Sequence, residues 1–159
     1  MKTCCFIGHR KISVDNTLSC IIKSEILWLI KQGINTFYFG SRSNFNDICL
    51  KIVTQFKQDY PELTRIFVRA EYEYIDKDYE NYLLNRYDST YFSKLAHNAG
   101  KLVYIKRNQE IINDSDVCVF YFDKNYKISH NRSSGTEIAY DYANHKKKRI
   151  INIFELIQK

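Results

Sequence analysis

The sequence alternates short runs of branched and aromatic residues with longer segments of helical period, and this alternation is the feature that most limits the fold. Five runs are predicted as strands, at residues 4–8, 36–40, 65–68, 117–122 and 149–154. Parallel strands need long crossover connections, usually helices, so the pattern favours a parallel sheet. We therefore expect an α/β fold: a single Rossmann-like domain whose mainly parallel sheet of about five strands carries helices on both faces.

The first two predicted helices begin at residues that commonly cap helices. Asp15 precedes an apolar pattern of helical period that ends at Gly33. Asn44 or Asn46 is suited to cap the second helix, which is predicted to run to Phe56. Both helices therefore fit between consecutive strands of the sheet.

The second half of the chain is less regular. A helix is predicted over residues 100–113, and Ser133 or Ser134 is expected to cap another that runs to His145. Residues 70–98 are rich in tyrosine and show no clean period, so one or two short helices are expected there, over one end of the sheet. The tyrosines either cover the sheet edge or stack on a bound base. They are Tyr72, Tyr74, Tyr79, Tyr82, Tyr87 and Tyr91.

Length and cysteine usage limit the class of protein. At 159 residues the chain is long enough for one domain with its own core, predicted over residues 1–159. The 5 cysteines match neither a zinc ribbon nor a Cys-x-x-Cys motif, so no metal and no cofactor is predicted, and a reducing, cytosolic setting is expected. No apolar stretch is long enough for a signal peptide or a membrane span, so no membrane partner is expected.

The charge balance permits an anionic partner. Lysine and arginine number 24 against 18 aspartates and glutamates, a net charge of +6. The dense basic run at residues 145–149 falls where a helix is predicted to end, and cations there complement the helix dipole. A solvated helix end is therefore the preferred interpretation, and nucleic acid is not the expected partner.

Polar residues and glycines follow several predicted strands. Three such groups are Gly8-His9-Arg10, Gly40-Ser41-Arg42 and Asp123, and the segment 133–137 opens the last long helix. Carboxyl ends of parallel strands meet at one sheet edge, where such folds bind ligands. Glycine permits close approach of a ligand, and hydroxyls and amides at a helix start hold anions. A phosphate site is therefore predicted, although the glycines also suit tight turns and the serines a simple cap.

Several of these motifs, in order along nearly the whole chain, resemble the SLOG superfamily and, within it, the small YpsA-like bacterial branch. The superfamily also contains the DNA-processing protein DprA and the cytokinin-activating phosphoribohydrolases. The residues that carry the resemblance are the run 4–10, Arg107-Asn108, Ser115-Asp116, Tyr121, Ser134-Gly135-Thr136, Ala139, Tyr142-Ala143 and Ile150 to Ile153.

The resemblance implies a Rossmann-like fold that holds a nucleotide or an ADP-ribose-type ligand at a glycine-threonine helix start. By the same resemblance, Gly135 and Thr136 would contact phosphate, Gly8 and Gly40 would line the floor, and Arg107 would reach over the ligand. From the sequence alone, Arg107 suits a surface salt bridge equally well.

One departure from the hydrolase pattern bears on catalysis. The phosphoribohydrolases carry Pro-Gly-Gly-x-Gly-Thr-x-x-Glu, whereas Ala139 occupies the glutamate position here and residues 132–134 replace Pro-Gly-Gly. Glu137 follows Thr136 directly, but a displacement of two residues on a helix turns a side chain by about 200°, so it does not substitute. Hydrolysis by that mechanism is therefore not expected.

A different glycosidic mechanism would need another carboxylate to act on a ribosyl carbon, and the candidates are Asp47, Asp116 and Asp123. Each of them also suits an ordinary role at a helix cap, a turn or a strand end. No catalytic residue is assigned. The expected function is binding of a nucleotide-derived phosphorylated ligand (nucleotide, ADP-ribose or cyclic nucleotide) by a sensor, carrier or sequestering protein. The alternative function is that of a nucleoside or nucleotide N-glycosidase or deoxyribosyltransferase. DprA-like binding of single-stranded nucleic acid is a weaker alternative. The sequence is also compatible with a homodimer. The expected ligand-binding residues are Gly8, His9, Arg10, Gly40, Ser41, Arg42, Asp47, Arg107, Asn108, Asp123, Ser133, Ser134, Gly135, Thr136 and Glu137.

Overall fold

Six strands alternate with helices in the computed structural model, which describes residues 2–126 and 134–158. The order begins β1 (Thr3–Gly8), α1 (Asn16–Lys31), β2 (Thr36–Phe39), α2 (Asn44–Phe56), β3 (Thr64–Arg69) and α3 (Lys77–Leu84). It continues β4 (Ser89–Phe92), α4 (Val103–Asn113), β5 (Val117–Tyr121), α5 (Gly135–His145), β6 (Arg149–Asn152) and α6 (Ile153–Ile157).

The strands form one sheet in the order β4-β3-β2-β1-β5-β6, and every neighbouring pair is parallel. In the central register Cys5 lies opposite Tyr38 on one side and Cys118 on the other. The chain builds outward from β1 to β4 and then returns to β5, so β1 and β5 flank the point where the strand order reverses. The predicted Rossmann-like α/β architecture is confirmed.

The number of strands differs from the prediction, because the sheet has six strands rather than about five. The added strand is β4, in the tyrosine-rich segment, where it pairs with the edge of β3. Its four residues are exposed or half-buried, so they lack the buried apolar face that marks a strand in a sequence.

Helix boundaries follow capping side chains, some of which were predicted. Asp15 caps α1 as expected, with its carboxylate 2.8 Å from the Leu18 amide. Ser43, rather than Asn44 or Asn46, caps α2.

Further along the chain, α4 begins at Val103 rather than Gly100, because a single 3₁₀ turn occupies Gly100–Leu102. Asn152 caps α6, so the last strand ends there and not at Phe154. Ser134 caps α5 through the Glu137 amide at 3.0 Å, whereas Ser133 lies outside the described residues.

The sheet has an apolar core on each face, as predicted. Against α1, α2 and α6 the core contains buried phenylalanine rings, among them Phe6, which lies 5.7 Å from Phe37 between ring centroids. Against α4 and α5 the core is smaller and includes Ile111 and Ala143. Cys4, Cys5, Cys49 and Cys118 are free and buried, and burial raises the pKa of the first three thiols. Within the described part of the chain, no helix has the length and apolarity needed to cross a membrane.

Gly8 at the end of β1 makes a close packing contact with α2. A Cβ atom at this position would lie 2.5 Å from Cδ2 of Phe45, whose side chain is fully buried. We expect Gly8→Ala to lower the free energy of unfolding by about 1–3 kcal/mol through overpacking. Gly135→Ala is the matched control, since a Cβ there has no described neighbour within 4 Å. Equal stability of the two variants in urea denaturation would contradict the packing role of Gly8.

Candidate functional site

A cleft of about 500 Å³ lies at the carboxyl ends of β1, β2 and β3, beside the start of α5. It therefore adjoins the reversal of strand order, where open parallel sheets bind ligands. Most of the predicted site residues line it, namely Gly8, His9, Arg10, Gly40, Ser41, Arg42, Arg107, Asn108, Ser134, Gly135 and Thr136. The strand-end motifs thus come together as the parallel topology predicted.

Four predicted residues are not among the described residues that line the cleft. Asp47 is exposed and lies 3.9 Å from Arg86, and Glu137 sits in the first turn of α5. Asp123 turns the chain after β5, where its carboxylate accepts a hydrogen bond from the Asn125 amide at 2.8 Å. Ser133 lies outside the described residues.

The third carboxylate considered for catalysis, Asp116, lies at the opposite edge of the sheet. It accepts hydrogen bonds from the amides of Lys2 at 2.7 Å and Thr3 at 3.1 Å. These hydrogen bonds hold the pKa of Asp116 below its usual value. Asp116 therefore ties the start of β1 to β5 and has no access to the cleft.

Arg107 of α4 is a buried cation at the centre of the site. Only 4% of the residue is exposed, and its Nη1 donates to the carbonyls of Gly40 and Val68, the second at 3.3 Å. Nε donates to the Asn108 side chain at 2.9 Å. Burial lowers the pKa of Arg107 to about 10, partly offset by the nearby Glu71 carboxylate. Arg107 therefore stays charged at neutral pH.

No carboxylate of the described residues lies within 4 Å of the Arg107 guanidinium. Its contacts are neutral carbonyl and amide oxygens, together with the ring of Tyr104, 5.8 Å from the guanidinium carbon to the ring centroid. Buried charges are costly unless they are paired. A positive charge that lines a cleft without a paired anion therefore favours an anionic ligand.

The glycines of the cleft have different structural roles. A Cβ on Gly40 would lie 2.7 Å from Cδ of Arg107, so Gly40 makes room for that side chain. No described atom lies within 4 Å of where a Cβ on Gly135 would be, and Gly135 opens α5 immediately after the Ser134 cap. No described residue accepts a hydrogen bond from the amides of Gly135 or Thr136. Free amides of this kind at a helix start are what an anion site needs.

His9 follows β1 and is only 2% exposed. Its Nε2 accepts a hydrogen bond from the Asp123 amide at 2.9 Å, so the imidazole is neutral and carries its proton on Nδ1. The ring stacks on Tyr126 with centroids 3.9 Å apart. Nδ1 is buried, and no described residue pairs with it. His9 therefore lines the cleft as a neutral imidazole whose buried Nδ1–H has no partner among the described residues.

A basic and aromatic group lines the far end of the cleft. Arg42 donates to the Tyr79 hydroxyl at 3.0 Å, and Arg69 donates to the Tyr72 carbonyl at 3.0 Å. The Arg69 Nε is buried and lacks a partner among the described residues. Of the six tyrosines in the 70–98 segment, Tyr72 and Tyr79 reach the cleft, while Tyr87 covers the sheet by packing on Phe67.

The residues of the cleft that were not predicted include the polar and aromatic side chains Arg69, Glu71, Tyr104 and Tyr126. The sequence contained a signal for Arg69, because this residue ends β3 and arginines also follow β1 and β2. Tyr104 lies one helical turn before Arg107, a spacing that places side chains on one face. Glu71 and Tyr126 lie in loops whose path the sequence does not reveal.

No protein-family model matches the chain, and no curated protein is significantly similar to it. The resemblance to the SLOG superfamily therefore stays a prediction. What bears on function is the composition of the cleft, which combines arginines, an open helix start and tyrosine rings.

The buried His9 predicts a pH dependence of stability. Burial lowers its pKa below the ordinary value of 6.5, so the unfolded chain binds this proton more readily than the folded protein does. The contribution of neutral His9 to the free energy of unfolding is therefore present above pH 6.5 and is lost as the pH falls toward the folded-state pKa. We expect His9→Gln to flatten the fall in the free energy of unfolding below pH 6.5, measured by urea denaturation.

His145→Gln serves as the control for the pH experiment, because His145 ends α5 and does not line the cleft. It should retain the pH dependence of the wild type. If the free energy of unfolding of His9→Gln fell with pH as steeply as that of the wild type, protonation of His9 would not oppose folding.

Proposed function

We propose that the protein binds a nucleotide-derived phosphorylated ligand in this cleft, as a sensor, carrier or sequestering protein. The observation that carries the proposal is Arg107, a buried cation in the cleft wall without a paired carboxylate among the described residues. A phosphate beside it would supply the missing anion, and arginine binds phosphate through strong charge-assisted hydrogen bonds.

The remaining charges of the cleft also favour an anionic ligand. Arg10, Arg42 and Arg69 also line it, whereas Glu71 is the carboxylate among its described lining residues. The α5 terminus adds amides and the positive end of a helix dipole. All of these groups favour an acceptor with negative charge.

The aromatic lining supports a nucleotide over inorganic phosphate. Rings of Tyr72, Tyr79, Tyr104 and Tyr126 line the same cleft as the arginines. Tyrosine offers an apolar face with a polar tip, which suits a planar base. The volume of about 500 Å³ also falls within the range of small-molecule sites, roughly 300–1,000 Å³.

Binding is favoured over cleavage because the three carboxylates considered as candidates for catalysis lie elsewhere. Asp47, Asp116 and Asp123 do not line the cleft. Ala139 is 2% exposed and packs in the apolar core between α4, α5 and the sheet, so a glutamate at this position would be buried there. The rival N-glycosidase would have to use the exposed Glu71. Free base released at turnover, detected by chromatography of a nucleotide panel, would overturn pure binding.

Gly135→Leu tests the site. The Cβ of the new leucine meets no described atom within 4 Å, so the variant should fold, while the larger side chain blocks access to the start of α5. In thermal-shift measurements with a panel of nucleotides, NAD, ADP-ribose and cyclic dinucleotides, we expect a wild-type stabilisation of about 2.7 kcal/mol at a hundredfold excess over Kd. Gly135→Leu should melt near the wild-type temperature without ligand and lose the shift.

Asp141→Leu is the matched control, because it places the same side chain on an exposed position of α5 outside the cleft. It should keep the full ligand shift. A shift that survives in Gly135→Leu would place the ligand elsewhere, and the absence of any shift in the wild type would refute nucleotide binding.

Arg107→Met should weaken binding of the responsive nucleotide by about 10- to 100-fold, the value of a hydrogen bond between charged partners. Arg107→Lys keeps the charge but loses the planar fork, so an intermediate loss is expected. Titration calorimetry measures both, with Arg86→Met as a control for removal of a surface arginine outside the cleft. Wild-type affinity in Arg107→Met would show that this cation does not contact the ligand.

A further inference from the structure

The end of β2 carries hydroxyls and a cation. The segment is Gly40-Ser41-Arg42-Ser43, directly after the strand adjacent to β1. In nucleotide-binding parallel sheets, a carboxylate following the first βα unit binds a free ribose 2′-hydroxyl, whereas a nearby arginine accommodates a ribose phosphate. The chemistry at the end of β2 is therefore of the phosphate-binding kind.

The second cationic cluster, which we define as Ser41, Arg42, Arg69 and Tyr79, is built from three elements. Arg42 is oriented by Tyr79, with Nη2 3.0 Å from the hydroxyl and the guanidinium carbon 5.9 Å from the ring centroid. This hydrogen bond raises the pKa of Arg42. Ser41 lies within hydrogen-bond distance of Ser43, the cap of α2, with 3.1 Å between hydroxyl oxygens. The cluster is thus held in place before any ligand arrives.

Arg69 adds a second cation to the cluster. Its Nη1 holds the carbonyls of Tyr72 and Glu73 at 3.0 and 3.3 Å, but its buried Nε pairs with no described residue. Glu71 is the nearby carboxylate in the cleft, yet no described carboxylate lies within 4 Å of Arg42 or Arg69. Both cations therefore remain available to an anion.

This cluster is separate from the start of α5. The helix α5 packs on β1, β5 and β6, whereas Arg42 follows β2 and Arg69 ends β3. Neighbouring strands lie about 4.8 Å apart, so the cluster is displaced from the β1 end by about 5–10 Å. The start of α5 and the second cationic cluster therefore offer two separate positions for an anion along the cleft.

We infer that the ligand carries a second phosphate, on its ribose, held by the second cationic cluster while the first phosphate lies at the start of α5. The ligand class is a nucleoside bisphosphate or a dinucleotide with a phosphorylated ribose. The inference rests on the proposed function, since it assumes that the cleft holds a nucleotide.

Ligand pairs that differ by one ribose phosphate test the inference in titration calorimetry. The pairs are the 5′-monophosphates and 3′,5′-bisphosphates of adenosine and guanosine, and NAD with NADP. In at least one pair the added phosphate should tighten wild-type binding by about tenfold or more. Arg42→Gln should weaken the ligand with the added phosphate more than its partner without it, so that the gain from the added phosphate falls to about onefold. Tyr79→Phe should reduce the gain in part, because it removes the hydroxyl that orients Arg42.

Arg86→Gln is the control, since it removes an exposed arginine outside the cleft. A gain that persists in Arg42→Gln, or falls equally in Arg86→Gln, overturns the inference. Binding of the monophosphates or NAD with no gain from the added phosphate also overturns it, while leaving the proposed function intact. Failure of every nucleotide to bind the wild type refutes both.

Discussion

The position of Arg107 is the constraint on which the cleft depends. Its guanidinium bridges the carbonyls of Gly40 and Val68, so it joins α4 to the ends of β2 and β3. This arrangement requires Gly40, because any Cβ there would meet the arginine side chain. The residues that follow the two strands, including Ser41 and Arg69, are thereby placed around a buried positive charge.

Such a site is costly for the fold, and that cost is informative. Arg107 is desolvated without an ion pair among the described residues, and His9 and Arg69 each bury a donor with no described partner. Buried polar groups are satisfied almost everywhere in folded proteins. Both donors, and the cation that has no described ion pair, belong to residues that line one cleft, so this cost is concentrated where the ligand is proposed to bind.

The fold was predictable where burial dominates the sequence pattern. The central strands β1, β2 and β5 are largely apolar, and this pattern identified them. The edge strand β4 was missed because exposed and half-buried residues have no such pattern. The apolar run at Ile153-Phe154 extended the last predicted strand too far, since the Asn152 side chain caps a helix there instead.

The site was predictable only as far as topology determines it. Strand order brings His9, Ser41 and Gly135 together, but the reason for each glycine is a tertiary contact that the sequence does not reveal. Gly8 is required by Phe45, and Gly40 by Arg107. A Cβ on Gly135 would meet no described atom within 4 Å, so packing against the described residues does not require its small size. Of these three glycines, it is therefore the one whose small size fits the proposed approach of a ligand to the start of α5.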